Sequence, residues 1–263
     1  MVLGQEALLA DVISLGLRPV ASGANLPDEG FVGMSDLDTA GIEVLNLLAI
    51  SLEEVATYEA DTVVTTAQWA DLAGGDELVE ELARRVVIVP DGLDPGERLS
   101  LLGRGLGAGD AAAELFVDLE AAEAEARAVV DALDEPCRLS MAAIYPGPSP
   151  AAFVEPIWDQ PATAVAIGCT LVPGADQADA DANGRAFLSL EQLSLLDAPT
   201  LVLLQSDTVE GELASLDELT GNPIWQQLPA VASGDVVQFD RLGYAGIAGR
   251  IRFVEDLVVA LQT

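Results

Sequence analysis

Short apolar, β-branched runs recur along the chain at 17–21, 62–65, 86–90, 139–144, 200–204 and 236–239. Runs of this length and composition fit strands buried on both faces. Between them, at 6–15, 51–58, 77–84, 189–196 and 251–261, apolar residues return every three or four positions. That is the spacing of helices with one buried face. Alternation of the two patterns predicts an α/β fold with mostly parallel sheets. One stretch departs from the rhythm. From Pro95 to Leu133 the chain is rich in Ala, Leu and Glu, and only the glycines at 103–109 weaken a helix. The expected organisation is an N-terminal lobe at 1–92, one long connecting helix at 93–133 and a C-terminal lobe at 134–263.

An internal repeat supports two related lobes. Ser51-Leu52-Glu53-Glu54-Val55 is followed by Glu59-Ala60-Asp61-Thr62-Val63-Val64, and Ser189-Leu190-Glu191-Gln192-Leu193 by Asp197-Ala198-Pro199-Thr200-Leu201-Val202. The offset is a constant 138 residues, 51 to 189 and 62 to 200. Each copy reads as a serine N-cap, a short helix with acidic residues in its first turn, and a buried strand.

Charge narrows the function. The 263 residues include 44 acidic and 11 basic ones, a formal net charge of −33. All the basic residues are arginine, because lysine and histidine are absent. Such a surface repels nucleic acid and anionic lipid. Without histidine there is no Ser-His-Asp chemistry and no His-ligated metal. Without lysine there is no P-loop or Schiff-base lysine. No catalytic set, resident cofactor or protein-held metal is expected. The spacing of Cys137 and Cys169 matches no zinc or redox motif, so a disulfide and two buried thiols fit equally well. No apolar run reaches the roughly 18 residues of a membrane span, and no secretory signal is visible. Met1-Val2-Leu3 reads as the tail of a strand feeding a helix near Gln5. An exported chain without its leader fits that reading, and so does a cytosolic protein with a short first strand.

The repeated "S-L-E-x-[VL]" units, Leu15-Gly16-Leu17-Arg18-Pro19-Val20, and Pro223-Ile224-Trp225 running through Leu228-Pro229-Ala230-Val231 to Gly234-Asp235-Val236 carry a resemblance. They resemble the helical-backbone (class III) periplasmic binding proteins of siderophore and vitamin B12 importers. The resemblance implies two α/β lobes joined by one long α-helix, with a ligand clamped between them. It also implies a monomer at the cell surface or in the periplasm, lipid-anchored in its full-length form. Its partners would be a ferric siderophore and the permease of an ABC importer. Haem, cobalamin or another chelate is the alternative cargo, and a cytosolic α/β enzyme the alternative role.

Ligand residues should follow strands, because loops at the carboxyl ends of parallel strands converge there. Trp69, Tyr145, Arg241 and Tyr244 do so, and Arg250 opens the final helix. Aromatic walls and arginine donors suit a bulky, often anionic chelate whose iron is already coordinated. The resemblance further implies that Glu53 and Glu191, matching positions of the repeat, dock on the importer. Trp158 and Trp225 read as structural. Two motifs are imitations. The glycines from Gly103 to Gly109 lack GxGxxG spacing, and Asp179–Gly184 starts like a calcium loop but has Leu190 at its twelfth position.

Overall fold

A computed structural model describes residues 1–34 and 36–262. By internal contacts the chain forms two compact units, Met1–Glu120 with Tyr244–Gly249, and Ala121–Gly243 with Arg250–Thr263.

The first unit contains β1 (Val2–Leu3), α1 (Glu6–Ser14), β2 (Ala21–Gly23), β3 (Glu43–Leu45), α2 (Leu52–Ala56), β4 (Thr62–Thr66), α3 (Ala67–Leu72), α4 (Asp76–Glu80), β5 (Arg85–Val89) and α5 (Pro95–Leu106). Its five strands pair in the order β3-β2-β1-β4-β5, every pair parallel. Leu3, Val63, Val55 and Trp69 are among the buried side chains of its core. The predicted strand at 17–21 is displaced: β2 begins only at Ala21. The helix before it closes first, with the Leu17 N–H on the Val12 carbonyl, and Pro19 has no N–H for a ladder.

The long helix is α6 (Gly109–Asp131), 23 residues, and α5 is a separate helix before it. The break lies at Gly107, left-handed at φ 72°, a conformation glycine adopts without strain. Gly103 lets the two helices meet closely, since a Cβ there would lie 2.7 Å from the Ala112 Cβ. The glycine run is thus a tight helical corner.

The second unit contains β6 (Arg138–Ala143), β7 (Ala151–Phe153), α7 (Asp159–Ala166), β8 (Thr170–Leu171), β9 (Arg185–Phe187), a 3₁₀ helix (Leu190–Leu195), β10 (Thr200–Gln205), α8 (Glu212–Thr220), α9 (Pro229–Ser233), β11 (Val236–Asp240) and, from Arg250 on, α10 (Gly246–Leu261). The sheet order is β11-β10-β6-β7-β9, with β8 also on β6. β11, β10, β6 and β8 are parallel, and β7 and β9 are antiparallel. The repeat is visible in this topology. β4 and β10 start at Thr62 and Thr200, and each lies between two parallel partners. Ser51 Oγ caps the Glu54 N–H at 3.1 Å, and Ser189 makes a capping box with Gln192.

Cys137 and Cys169 form a disulfide. Each stands one residue before the parallel register pair Arg138 and Thr170, and the Thr170 N–H donates to the Cys137 carbonyl at 2.9 Å. The bond spans 32 residues of sequence. Closing a loop of that size removes about 3–4 kcal/mol of unfolded-state entropy. Replacing both cysteines by serine should therefore lower the unfolding free energy by about 2–4 kcal/mol in urea titrations. An unchanged midpoint and slope would show that the bond contributes nothing to stability.

Candidate functional site

In the second unit the parallel strands β6, β10 and β11 end on one edge, followed by Tyr145, Ser206 and Arg241 respectively. The antiparallel strand β9 brings a further arginine there. Arg185 and Phe187 alternate along β9 with the buried Ala186, so both project from one face. The Arg185 guanidinium lies 5.6 Å from the Tyr145 ring centre, 5.5 Å from Trp158 and 5.4 Å from Phe187. These are cation–π distances. Trp158 precedes α7 and rests edge-on against the buried Phe153 at 6.4 Å. The Arg241 guanidinium lies 4.8 Å from the Tyr145 ring centre. Two arginines therefore share one tyrosine within an aromatic box.

Each arginine carries its own carboxylate. Arg185 donates to Asp181 Oδ2 from Nε at 3.2 Å and from a terminal nitrogen at 2.9 Å, and to the Tyr145 hydroxyl at 3.1 Å. Arg241 pairs with Glu212, which is fully buried and also accepts the Ser206 N–H at 2.7 Å. Asp181 further accepts the backbone N–H groups of Asn183 and Arg185. The carboxylate of the calcium-like loop is thus engaged with its own turn and with Arg185. Among the described residues no group of three or more acidic or sulfur side chains is placed to hold a metal ion.

Of the residues expected from sequence, Tyr145 and Arg241 meet in this box. Trp69 lies in the first unit, largely buried in its core. It also lines a pocket of about 320 Å³, together with Gly4 after β1, Gln68 after β4 and Pro90 after β5. Arg250 is held in an ion pair with Glu123 through two nitrogens, at 2.8 and 3.2 Å, with both side chains mostly buried. Tyr244 is half-buried before α10 and belongs to the first unit, its backbone packed close to Gly249. Glu53 and Glu191 are both exposed, each the second residue after its capping serine.

Sequence reasoning passed over Arg185, Phe187 and Glu212, met Asp181 only within the calcium-like loop, and read Trp158 as structural. Trp158 is instead 41% exposed and faces Arg185, while Trp225 is buried in the core as expected. The available signal was Arg185-Ala186-Phe187 directly after an Asn-Gly turn, a strand of three residues.

The Arg185 hydrogen bonds hold the Asp181 carboxyl at about 2, below its ordinary 3.8. For Arg185, burial lowers the pKa, but the hydrogen bonds to Asp181 and Tyr145 prevail and raise it. A depressed acid contributes stability that is present above its unfolded value and lost as pH falls through its folded one. The contribution of Asp181 should therefore be complete above pH 3.8 and vanish toward about 2. Carboxyl-carbon NMR should show a titration midpoint near 2, moving back toward 3.8 in Arg185→Ala. A midpoint near 3.8 in the unaltered protein would mean that the pair does not form in solution.

No protein-family model matches the chain, and no curated protein matches its sequence. Solved structures do match its fold. SirA of Staphylococcus aureus, complexed with staphyloferrin B, superposes with a TM-score of 0.77 at 16% identity, covering 99% of this chain and 92% of that one. The siderophore periplasmic binding protein from the fuscachelin gene cluster of Thermobifida fusca gives 0.76 at 20% identity, over 99% and 96%. A FhuD fold-family protein of Bacillus subtilis, a component of a Fep/Fec-like ferrichrome ABC transporter, gives 0.74 at 19%, over 100% and 93%. The chain has the fold of the FhuD-like siderophore periplasmic binding proteins.

Proposed function

We propose that this protein is an extracytoplasmic solute-binding protein that carries a ferric siderophore to an ABC importer. The observation that carries the reading is the aromatic box at the strand ends, with Arg185 among three rings and Arg241 against one of them. A chelate supplies its own iron ligands, so the protein has only to cover an apolar, hydrogen-bonding body. Tyr145, Trp158 and Phe187 offer faces, and the arginines offer N–H groups that reach ligand oxygens. Proteins of this fold from three organisms are described by their siderophores or importers. The disulfide fits an oxidising compartment. Among the described residues no helix is long and apolar enough to cross a membrane. The role needs no catalytic group, and the protein acts as a monomer.

Docking belongs to the same proposal. Glu53 and Glu191 present one exposed carboxylate per unit, on equivalent turns of the repeat. Two such carboxylates, gripped at once by arginines on a permease, gain from multivalency as well as from charge.

Ferric chelates should quench the tryptophan fluorescence, and Trp158→Ala should weaken binding by about 2 kcal/mol, the value of one buried aromatic face. An unchanged dissociation constant would remove the box from the site. The Glu53→Ala, Glu191→Ala double variant should bind chelate normally yet lose importer-dependent uptake. Normal uptake would reduce both residues to helix-start carboxylates.

A further inference from the structure

Resting on that reading, we infer that the box selects a ferric chelate of zero or positive net charge, and that Asp181 and Glu212 set this selection. Two arginines would ordinarily mark a site for an anion. Here neither has charge to spare. Arg185 spends two nitrogens on Asp181 and a third on the Tyr145 hydroxyl. Arg241 is paired with the buried Glu212, which is held in place by the Ser206 N–H. Each pair presents to a ligand the field of a dipole, and the box sums to zero. Its surroundings tip the balance further. Asp207 and Asp240 stand at the ends of β10 and β11, accepting from a Gln205 amide and a Leu242 backbone N–H respectively, and among the described residues neither is paired with an arginine. The whole chain carries −33.

A strongly anionic chelate entering this box must shed hydration without gaining a net opposite charge. Three doubly charged catecholates around ferric iron make such a complex, and polycarboxylates do the same. Three singly charged hydroxamates cancel the ferric charge. Their metal-bound oxygens still accept arginine N–H groups, and the methylene arms cover the faces of Tyr145, Trp158 and Phe187. A free ammonium on such a chelate gains from those faces and from the nearby carboxylates. Asp181 and Glu212 thus act as specificity determinants: they keep the arginines as hydrogen-bond donors and cancel them as charges.

The test is tryptophan quenching at fixed ionic strength with three ferric complexes of similar size: a neutral trishydroxamate, a trishydroxamate with a free amine, and a triscatecholate. The first two should bind at least about tenfold more tightly than the third. Asp181→Asn frees the Arg185 charge and should shift the affinity ratio toward the triscatecholate by about tenfold, the scale of one unscreened charge at close range. Glu212→Gln should shift it the same way, and Asp181→Asn decides alone should the buried variant unfold. Equal or tighter binding of the triscatecholate, or an affinity ratio unmoved by Asp181→Asn, would overturn the charge inference and leave the siderophore reading standing. Failure of all three complexes to bind would overturn both.

Discussion

Parallel pairing on both sides of β4 and of β10 is the constraint on which the rest of the structure depends. Parallel neighbours cannot be joined by a tight turn, so the chain must cross over and cover the sheet with helices. Strands covered in this way are apolar on both faces, which is why Val63, Val64, Leu201, Val202 and Leu203 are all buried. The same geometry gathers the carboxyl ends of the strands on one edge. In each unit residues that follow the strands gather at that edge: Gln68 and Trp69 in the first, Tyr145, Ser206 and Arg241 in the second.

The second unit adds something to this plan. β7 and β9 run antiparallel on the flank of β6, and β9 delivers Arg185 and Phe187 to Tyr145. The Phe153 side chain at the end of β7 supports Trp158 from beneath. The box is therefore made partly by the shared parallel core and partly by the antiparallel flank.

Charge follows a single rule through the molecule. With acids far in excess and no lysine or histidine, arginines that leave water find a carboxylate. Asp11, fully buried, pairs with Arg98 at 2.9 Å and accepts the Ile247 N–H at the start of α10 at 2.7 Å. Glu123 serves Arg250 and Arg127 together. Breaking such a pair on one side leaves an uncompensated charge in the interior, so these contacts pin elements in place whatever their net worth. Arg250 belongs to this group by geometry. Expected to open the final helix, it lies instead in the second turn of α10, where the fold sets Glu123 beside it.

The sequence by itself determined the elements and their class. The strands at Arg85–Val89, Arg138–Ala143, Thr200–Gln205 and Val236–Asp240 match their apolar runs to within one residue at either end. The serine-capped repeat placed β4 and β10 in equivalent topological positions. These are local properties: periodicity, capping and propensity act over a few residues and leave their mark in the order of side chains. The short strands β3, β7, β8 and β9, each of two or three residues, were not legible, because so short a run has no period to read. Tertiary structure alone decided that Cys137 lies beside Cys169, that Glu212 neutralises Arg241, and that Trp158 faces Arg185, whereas Asp181 meets Arg185 across only four residues of its own turn. The long-range contacts of the site depend on strand order: Tyr145 to Arg185 spans 40 positions and Arg241 to Glu212 spans 29. Which of 44 acids meets Arg241 or Arg250 is settled only when the fold brings residues 29 and 127 positions apart together.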